Sequence, residues 1–146
     1  MYHCEGNKNA DILFVLDSIS EEEDNKQKLF DDKNGEYFKK FLEYSKIDME
    51  KCYFTTLTKC SSHGNLINED SILKCHEFLI AQIALINPKY IVTVGERPTR
   101  FLLQNTIKED IRNWLGKCMT FMEKLKLFQF MIFHIYSKLQ IRKNGN

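Results

Sequence analysis

Four short apolar runs, separated by segments of helical period, leave this chain few ways to fold. They are Asp11–Leu16 (DILFVL), Cys52–Thr58 (CYFTTLT), Tyr90–Val94 (YIVTV) and Phe128–Phe133 (FQFMIF), all rich in β-branched and aromatic residues. DILFVL is continuous rather than alternating, the pattern of a strand buried on both faces of a parallel sheet. Gly35 opens EYFKKFLEYSK, in which Tyr37, Phe38, Phe41 and Leu42 fall on one helical stripe. Asp70 is a predicted N-cap for a helix to about Ile86, with Ile72, Leu79, Ile83 and Ile86 at helical spacing. Asn87-Pro88 stops that helix, because the residue before proline is pushed out of the helical region. Gly95 makes the turn after YIVTV, and Pro98 suits the first turn of a helix through Leu103. Strands separated by helices imply a parallel sheet with helices on both faces. Asp17 to Asn34 reads as an acidic loop. Thr106 to Lys126 reads either as a helix broken near Gly116 or as a helix and an edge hairpin.

In open sheets of this kind ligands gather beyond the carboxyl ends of the strands. Those ends carry Asp17, Thr55–Thr56, Gly95–Glu96 and His134, so a pocket is predicted there. The 146 residues suffice for a single domain with a proper core, without repeats or linkers. Lys and Arg number 21 against 20 Asp and Glu, so nucleic-acid affinity would rest on local clustering of charge, not on the net +1. No signal-peptide pattern opens the sequence and no apolar run is long enough to span a bilayer, which gives a cytoplasmic protein as the expectation. Five cysteines, unevenly spaced, suggest reduced thiols rather than a disulfide scaffold. His76 with Cys60 and Cys75 lacks the spacing of a zinc finger, and no zinc is expected.

From GNKNADILFV onward the chain resembles the uracil-DNA glycosylase superfamily, and most closely its iron–sulfur, family 4-type members. The resemblance is carried by that lead into the first strand, by YFTTLTKC and Cys75, and by HEFLIAQIALINPKYIVTVGERPTRFLL. It implies a three-layer α/β/α sandwich around a parallel four-stranded sheet, spanning residues 1–146. It also implies a site. Asp17 stands where the family has a Glu that orients the attacking water, and a carboxylate there suits hydrolysis through an oxocarbenium-like state. Phe30 matches the ring that stacks on the flipped base. Thr55 and Thr56 lie where the base is read. His134 matches the histidine that stabilises charge on the leaving base. Lys138 and Arg142 are the implied DNA phosphate contacts, with Leu139 as an apolar wedge.

The sequence departs from the family at several of these positions. Leu16, Ile19 and Ser20 replace the glycines and proline around the water-orienting residue. Asp31-Asp32 replace Val-Gly after Phe30, placing negative charge where a phosphodiester would pass. Thr56 replaces an Asn whose amide makes a paired contact with the base, which one hydroxyl cannot reproduce. Ile135-Tyr136 replace the Pro and small residue after His134. Cys60 and Cys75 match two of the four ligands of the family's four-iron–four-sulfur cluster, so no cluster and no other cofactor is expected.

The resemblance therefore implies base-flipping hydrolysis of the N-glycosidic bond of uracil in DNA, with impaired or altered catalysis. The alternative is a non-catalytic module of the same fold that binds DNA or a replication or repair protein. The implied partners are uracil-containing or single-stranded DNA, or such a protein; a monomer without membrane attachment is expected.

Overall fold

A computed structural model describes residues 4–59, 61, 69–102, 118–121 and 125–130. At its centre lies the expected parallel arrangement. Strand β2 (Ile12–Leu16) pairs in parallel with β3 (Cys52–Thr56) on one side and with β4 (Tyr90–Val94) on the other. Strand β6 (Leu125–Phe130) adds in parallel to β4. Two antiparallel strands complete the sheet at its edges, β1 (Glu5–Gly6) on β3 and β5 (Cys118–Phe121) on β6. The order is β1-β3-β2-β4-β6-β5, so the four parallel strands are the interior of a six-stranded mixed sheet.

Alternation along β2 explains why its sequence is apolar throughout. Leu13 and Val15 join Leu57, Leu79, Ile83, Ile91 and Leu102 in one core. Phe14 points the other way, into a second core with Ile19, Leu29, Phe30, Phe38, Leu42, Cys52 and Phe54. The first core lies under α3 (Glu69–Ile86) and α4 (Glu96–Leu102), the second under α2 (Lys33–Tyr44). Helices thus cover both faces, as a parallel sheet requires.

The local differences from the sequence reading have physical causes. Within the stretch expected as loop, Glu21–Lys26 forms helix α1, held by a reciprocal capping box between Ser20 and Glu23. Helix α2 begins at Lys33 because Asp32 caps it, and Tyr37 is 51% exposed rather than part of the buried stripe. Asp70 lies inside the first turn of α3 and is not its N-cap. That helix ends as expected: Asn87, before Pro88, adopts a left-handed φ of 47°. The last parallel strand starts at Leu125, earlier than the apolar run suggested, because pairing with β5 from Phe121↔Leu125 to Cys118↔Phe128 recruits Lys126. Of the two readings of Thr106 to Lys126, the antiparallel pair of β5 and β6 accords with the edge hairpin; residues 103–117 lie outside the described residues.

The strand order creates a crevice. After β2 the chain turns to α1 and α2 on one face, while after β4 it turns to α4 on the other. Adjacent strands whose connections leave in opposite directions open a gap at their carboxyl ends. Asp17 follows β2 into that gap and Gly95 follows β4.

Candidate functional site

A cavity of about 340 Å³ occupies this crevice, within the range of small-molecule sites. Its wall runs along Leu16–Ser20 and Val94–Gly95, and its far side is formed by Phe30, Asn34 and Phe38. The structure therefore brings Asp17 and Phe30 to one cavity from positions thirteen residues apart in sequence (30 − 17).

Asp17 is gripped by Arg97 of α4. Arg97 Nε and Nη2 both donate to Asp17 Oδ2, at 3.0 and 2.6 Å. The other oxygen, Oδ1, is shielded from solvent and accepts no hydrogen bond among the described residues. The two side chains are 33% and 43% exposed. A pair that open contributes at most about 1 kcal/mol to stability. Arg97 owes its place to the β4–α4 turn. Gly95 adopts φ +111°, where side chains are disfavoured. Thr99 Oγ1 donates to Gly95 O at 2.8 Å and lies 2.8 Å from Thr93 Oγ1, tying α4 back to its strand.

Phe30 is held in place from three directions. Its backbone N–H donates to Glu23 Oε1 at 2.6 Å, while Glu23 Oε2 accepts from Ser20 N at 2.9 Å. One carboxylate, only 7% exposed, thus joins both ends of the α1 segment. Gly35 passes so close that a Cβ there would collide with Phe30 Cα. The ring stacks on Phe38 at 5.2 Å between centroids and meets Phe54 edge-on at 5.0 Å. Only 4% of Phe30 is exposed, so it is a rigid core residue with one border on the cavity. Lys39 Nζ stands 5.8 Å from its ring centroid.

The aspartates after Phe30 are less hostile to an anion than their charge suggests. Asp31 is bridged by Lys26 at 3.0 Å and Lys28 at 3.5 Å. The Lys26 ammonium holds the Asp31 carboxyl below its ordinary range. Asp32 Oδ1 accepts from Gly35 N at 2.7 Å as the cap of α2. Likewise Ser20 is a helix cap and Ile19 a core residue, so the segment after Asp17 has a structural role.

Thr55 and Thr56 do not join the cavity. Thr55 Oγ1 donates to Gln82 Oε1 at 2.6 Å under α3, and Thr56 Oγ1 donates to Thr58 O at 2.6 Å. Both residues are fully buried. Lys59 fills the space beneath them, its Nζ donating to Thr55 Oγ1 at 2.5 Å, Thr56 O at 2.6 Å and Gln82 Oε1 at 2.9 Å. Burial pushes Lys59 down to about 8, against the neighbouring Cys4 and Cys75 thiols, which act in the opposite direction. His134, Lys138, Leu139, Arg142 and Cys60 lie outside the described residues.

Among the described residues, Cys4, Cys52 and Cys75 do not gather into a cluster site. Cys75 is buried on α3 and accepts from Lys59 N at 3.4 Å. Burial, aided by the Cys4 thiol, pushes the Tyr53 phenol upward. Cys52 lies in the core on the opposite face, its thiol donating to Asp48 O at 3.2 Å and pushed up to about 11 by burial. A cubane cluster needs four converging thiolates, and among the described residues no group of three or more His, Cys, Asp or Glu could hold a metal ion. The described residues alone do not supply the ligands of such a cluster. His76 packs edge-on against Phe101 at 5.1 Å.

Sequence reasoning missed Glu23 and Arg97. The Ser20-x-x-Glu23 capping box was a readable signal for the first. Nothing local marked Arg97, which meets Asp17 only through the strand order.

Comparison with known proteins bears on this site. The family model described as the uracil DNA glycosylase superfamily matches residues 3–143. A type-4 uracil-DNA glycosylase of Saccharolobus solfataricus is 32% identical over 136 residues, covering 90% of this chain and 62% of that protein. One from Thermotoga maritima is 30% identical over 119 residues, 77% of this chain and 62% of its own length. A third, from Sulfurisphaera tokodaii, is 27% identical over 146 residues, 97% and 66% respectively. The chain thus spans a little under two thirds of the length of these relatives.

Proposed function

Because this chain belongs to the uracil-DNA glycosylase superfamily, we propose that it binds DNA and hydrolyses the N-glycosidic bond of a flipped uracil, with weakened reading of the base. The observation that carries this reading is the meeting of Asp17 and Phe30 in one cavity at the carboxyl ends of β2 and β4. Phe30 presents its one cavity-facing border to the extruded base. Asp17 holds the attacking water and opposes the positive charge that develops on the sugar as the bond breaks. His134 stabilises the departing base; it follows Phe130 by four residues, within about 14 Å of it at full extension. Strand β6 runs parallel to β4, so it heads toward the same end of the sheet as Gly95. Lys138 and Arg142 then contact DNA phosphates. Thr55 and Thr56 are engaged by Gln82 and Thr58 and supply no direct contact, in keeping with the weakened reading. No mechanistic step is assigned to an iron–sulfur cluster.

The engagement of Thr56 by its own turn also favours a second reading, a non-catalytic module on the same fold that binds DNA or a repair protein. Single-turnover cleavage of a uracil-containing oligonucleotide separates the two, with Asp17→Asn and His134→Ala alongside. The hydrolase reading expects cleavage that falls by about 10²–10⁴-fold in Asp17→Asn. Binding without cleavage establishes the module instead. Among the described residues no helix is long and apolar enough to cross a membrane.

A further inference from the structure

We propose that Arg97 is a positioning residue for hydrolysis: its two-donor grip fixes the orientation of the Asp17 carboxylate that holds the attacking water. The inference rests on the hydrolase reading above and adds to it a residue to which the resemblance assigned no role.

Three observations support it. First, both Arg97 donors converge on the same oxygen, Oδ2, at 3.0 and 2.6 Å. A fork that closes on one oxygen leaves the second unengaged and restricts rotation of the carboxylate about its own axis. Second, Oδ1 is shielded from bulk solvent and has no hydrogen-bond partner among the described residues. The Arg97 fork therefore supplies the hydrogen bonds that hold this carboxylate among the described residues. Third, Arg97 is itself anchored. Thr99 joins α4 to Gly95 O and Thr93, and Leu102 is buried in the core beneath α3. The partly exposed ion pair adds little to stability, so its geometry is the feature to explain.

Asp17 is one methylene shorter than the Glu that the resemblance leads one to expect there. A shorter carboxylate reaches less far and tolerates less angular error in aiming its acceptor. Arg97 compensates by holding it from the α4 side of the crevice. The water then donates to the Asp17 carboxylate in the cavity that Phe30 borders. Arg97 touches neither substrate nor water, and acts through Asp17 alone.

The test compares Arg97→Met, Arg97→Lys and the unaltered protein in single-turnover cleavage of a uracil-containing oligonucleotide, with DNA affinity measured separately by anisotropy. Because Arg97 is 43% exposed, both variants should fold, which thermal unfolding checks. The proposal expects Arg97→Met to slow the cleavage step by about 10²-fold, the effect of a small misplacement of a reacting group, with DNA affinity unchanged. Arg97→Lys should recover only part of the rate, since a point charge cannot reproduce the two-donor grip. Millimolar guanidinium ion should restore part of the rate to Arg97→Met. A normal cleavage rate in Arg97→Met overturns the proposal and leaves the hydrolase reading intact. A loss appearing only as weaker, less salt-dependent DNA binding also overturns it, identifying Arg97 as a phosphate contact. Absence of cleavage by the unaltered protein overturns both readings together.

Discussion

Glu23 offers the sharpest test of how the site is built, because one buried carboxylate joins two chain segments. Its Oε1 accepts from Phe30 N at 2.6 Å in a buried setting, and its Oε2 accepts from Ser20 N at 2.9 Å at a partly buried helix end. A hydrogen bond to a charged group is worth about 1.5–3 kcal/mol, and the buried Phe30 N–H lies at the upper end of that range. The capping contribution is about 1 kcal/mol. Glu23→Ala should therefore destabilise the fold by roughly 3–4 kcal/mol. Glu23→Gln retains one acceptor for Phe30 N but turns an amide donor toward Ser20 N, so it should lose about 1–2 kcal/mol. Urea unfolding measures both, as a shift in midpoint at unchanged slope. Glu23→Ala should also slow single-turnover cleavage by loosening Phe30, while the Asp17–Arg97 pair remains. If Glu23→Ala lies within about 0.5 kcal/mol of the unaltered protein, as an ordinary surface substitution would, the carboxylate does not hold the loop. Equal losses in Glu23→Ala and Glu23→Gln would refute the division between its two oxygens.

Gly35→Ala should displace Phe30, since the added methyl meets Phe30 Cα; a loss of about 1–3 kcal/mol in urea unfolding, with slowed cleavage, is the expected outcome. Thr55→Val removes one partner each from Lys59 and Gln82, and should cost about 1–3 kcal/mol in the same assay with little change in the cleavage step. Lys59 predicts a pH dependence: its folded value of about 8 lies below its ordinary 10.5. Between those values the unfolded chain binds the extra proton, so stability rises with pH, by at most about 1.4 kcal/mol per unit. Cys52, raised from 9.0 to about 11, opposes this above pH 9, where the folded state holds the extra proton. The urea midpoint should thus rise from about pH 8 to pH 9, and Lys59→Met should remove that rise; a flat profile in the unaltered protein would refute the assignment.

Much of the fold was legible because the relevant forces are local or periodic. DILFVL is apolar at every position since β2 is buried on both faces, and such a run has few other uses. YIVTV, with Asn87-Pro88 before it and Gly95 after it, was bounded by residues whose backbone restrictions act within a few positions. Helix α1 was also locally written, in Ser20 and Glu23, but its acidic composition concealed a capping box. Tyr37 shows the limit of periodicity: a helical stripe identifies an apolar face without saying how wide the facing core is.

The site was legible only in part. Asp17 could be placed at a strand end by pattern alone, and Phe30 came from the family resemblance. That the two share a cavity depends on the order of β3, β2 and β4, and on connections leaving to opposite faces, which no local sequence encodes. The engagement of Thr55 by Gln82 and Lys59, and of Thr56 by Thr58, likewise depended on tertiary packing and turn geometry. Arg97 is the extreme case. Eighty residues separate it from Asp17, and only the crevice between β2 and β4 makes them neighbours. Hydrophobic patterning fixes which segments are buried, because burial is a property of each segment's own side chains. Which polar groups then meet is decided by how those segments are ordered in space.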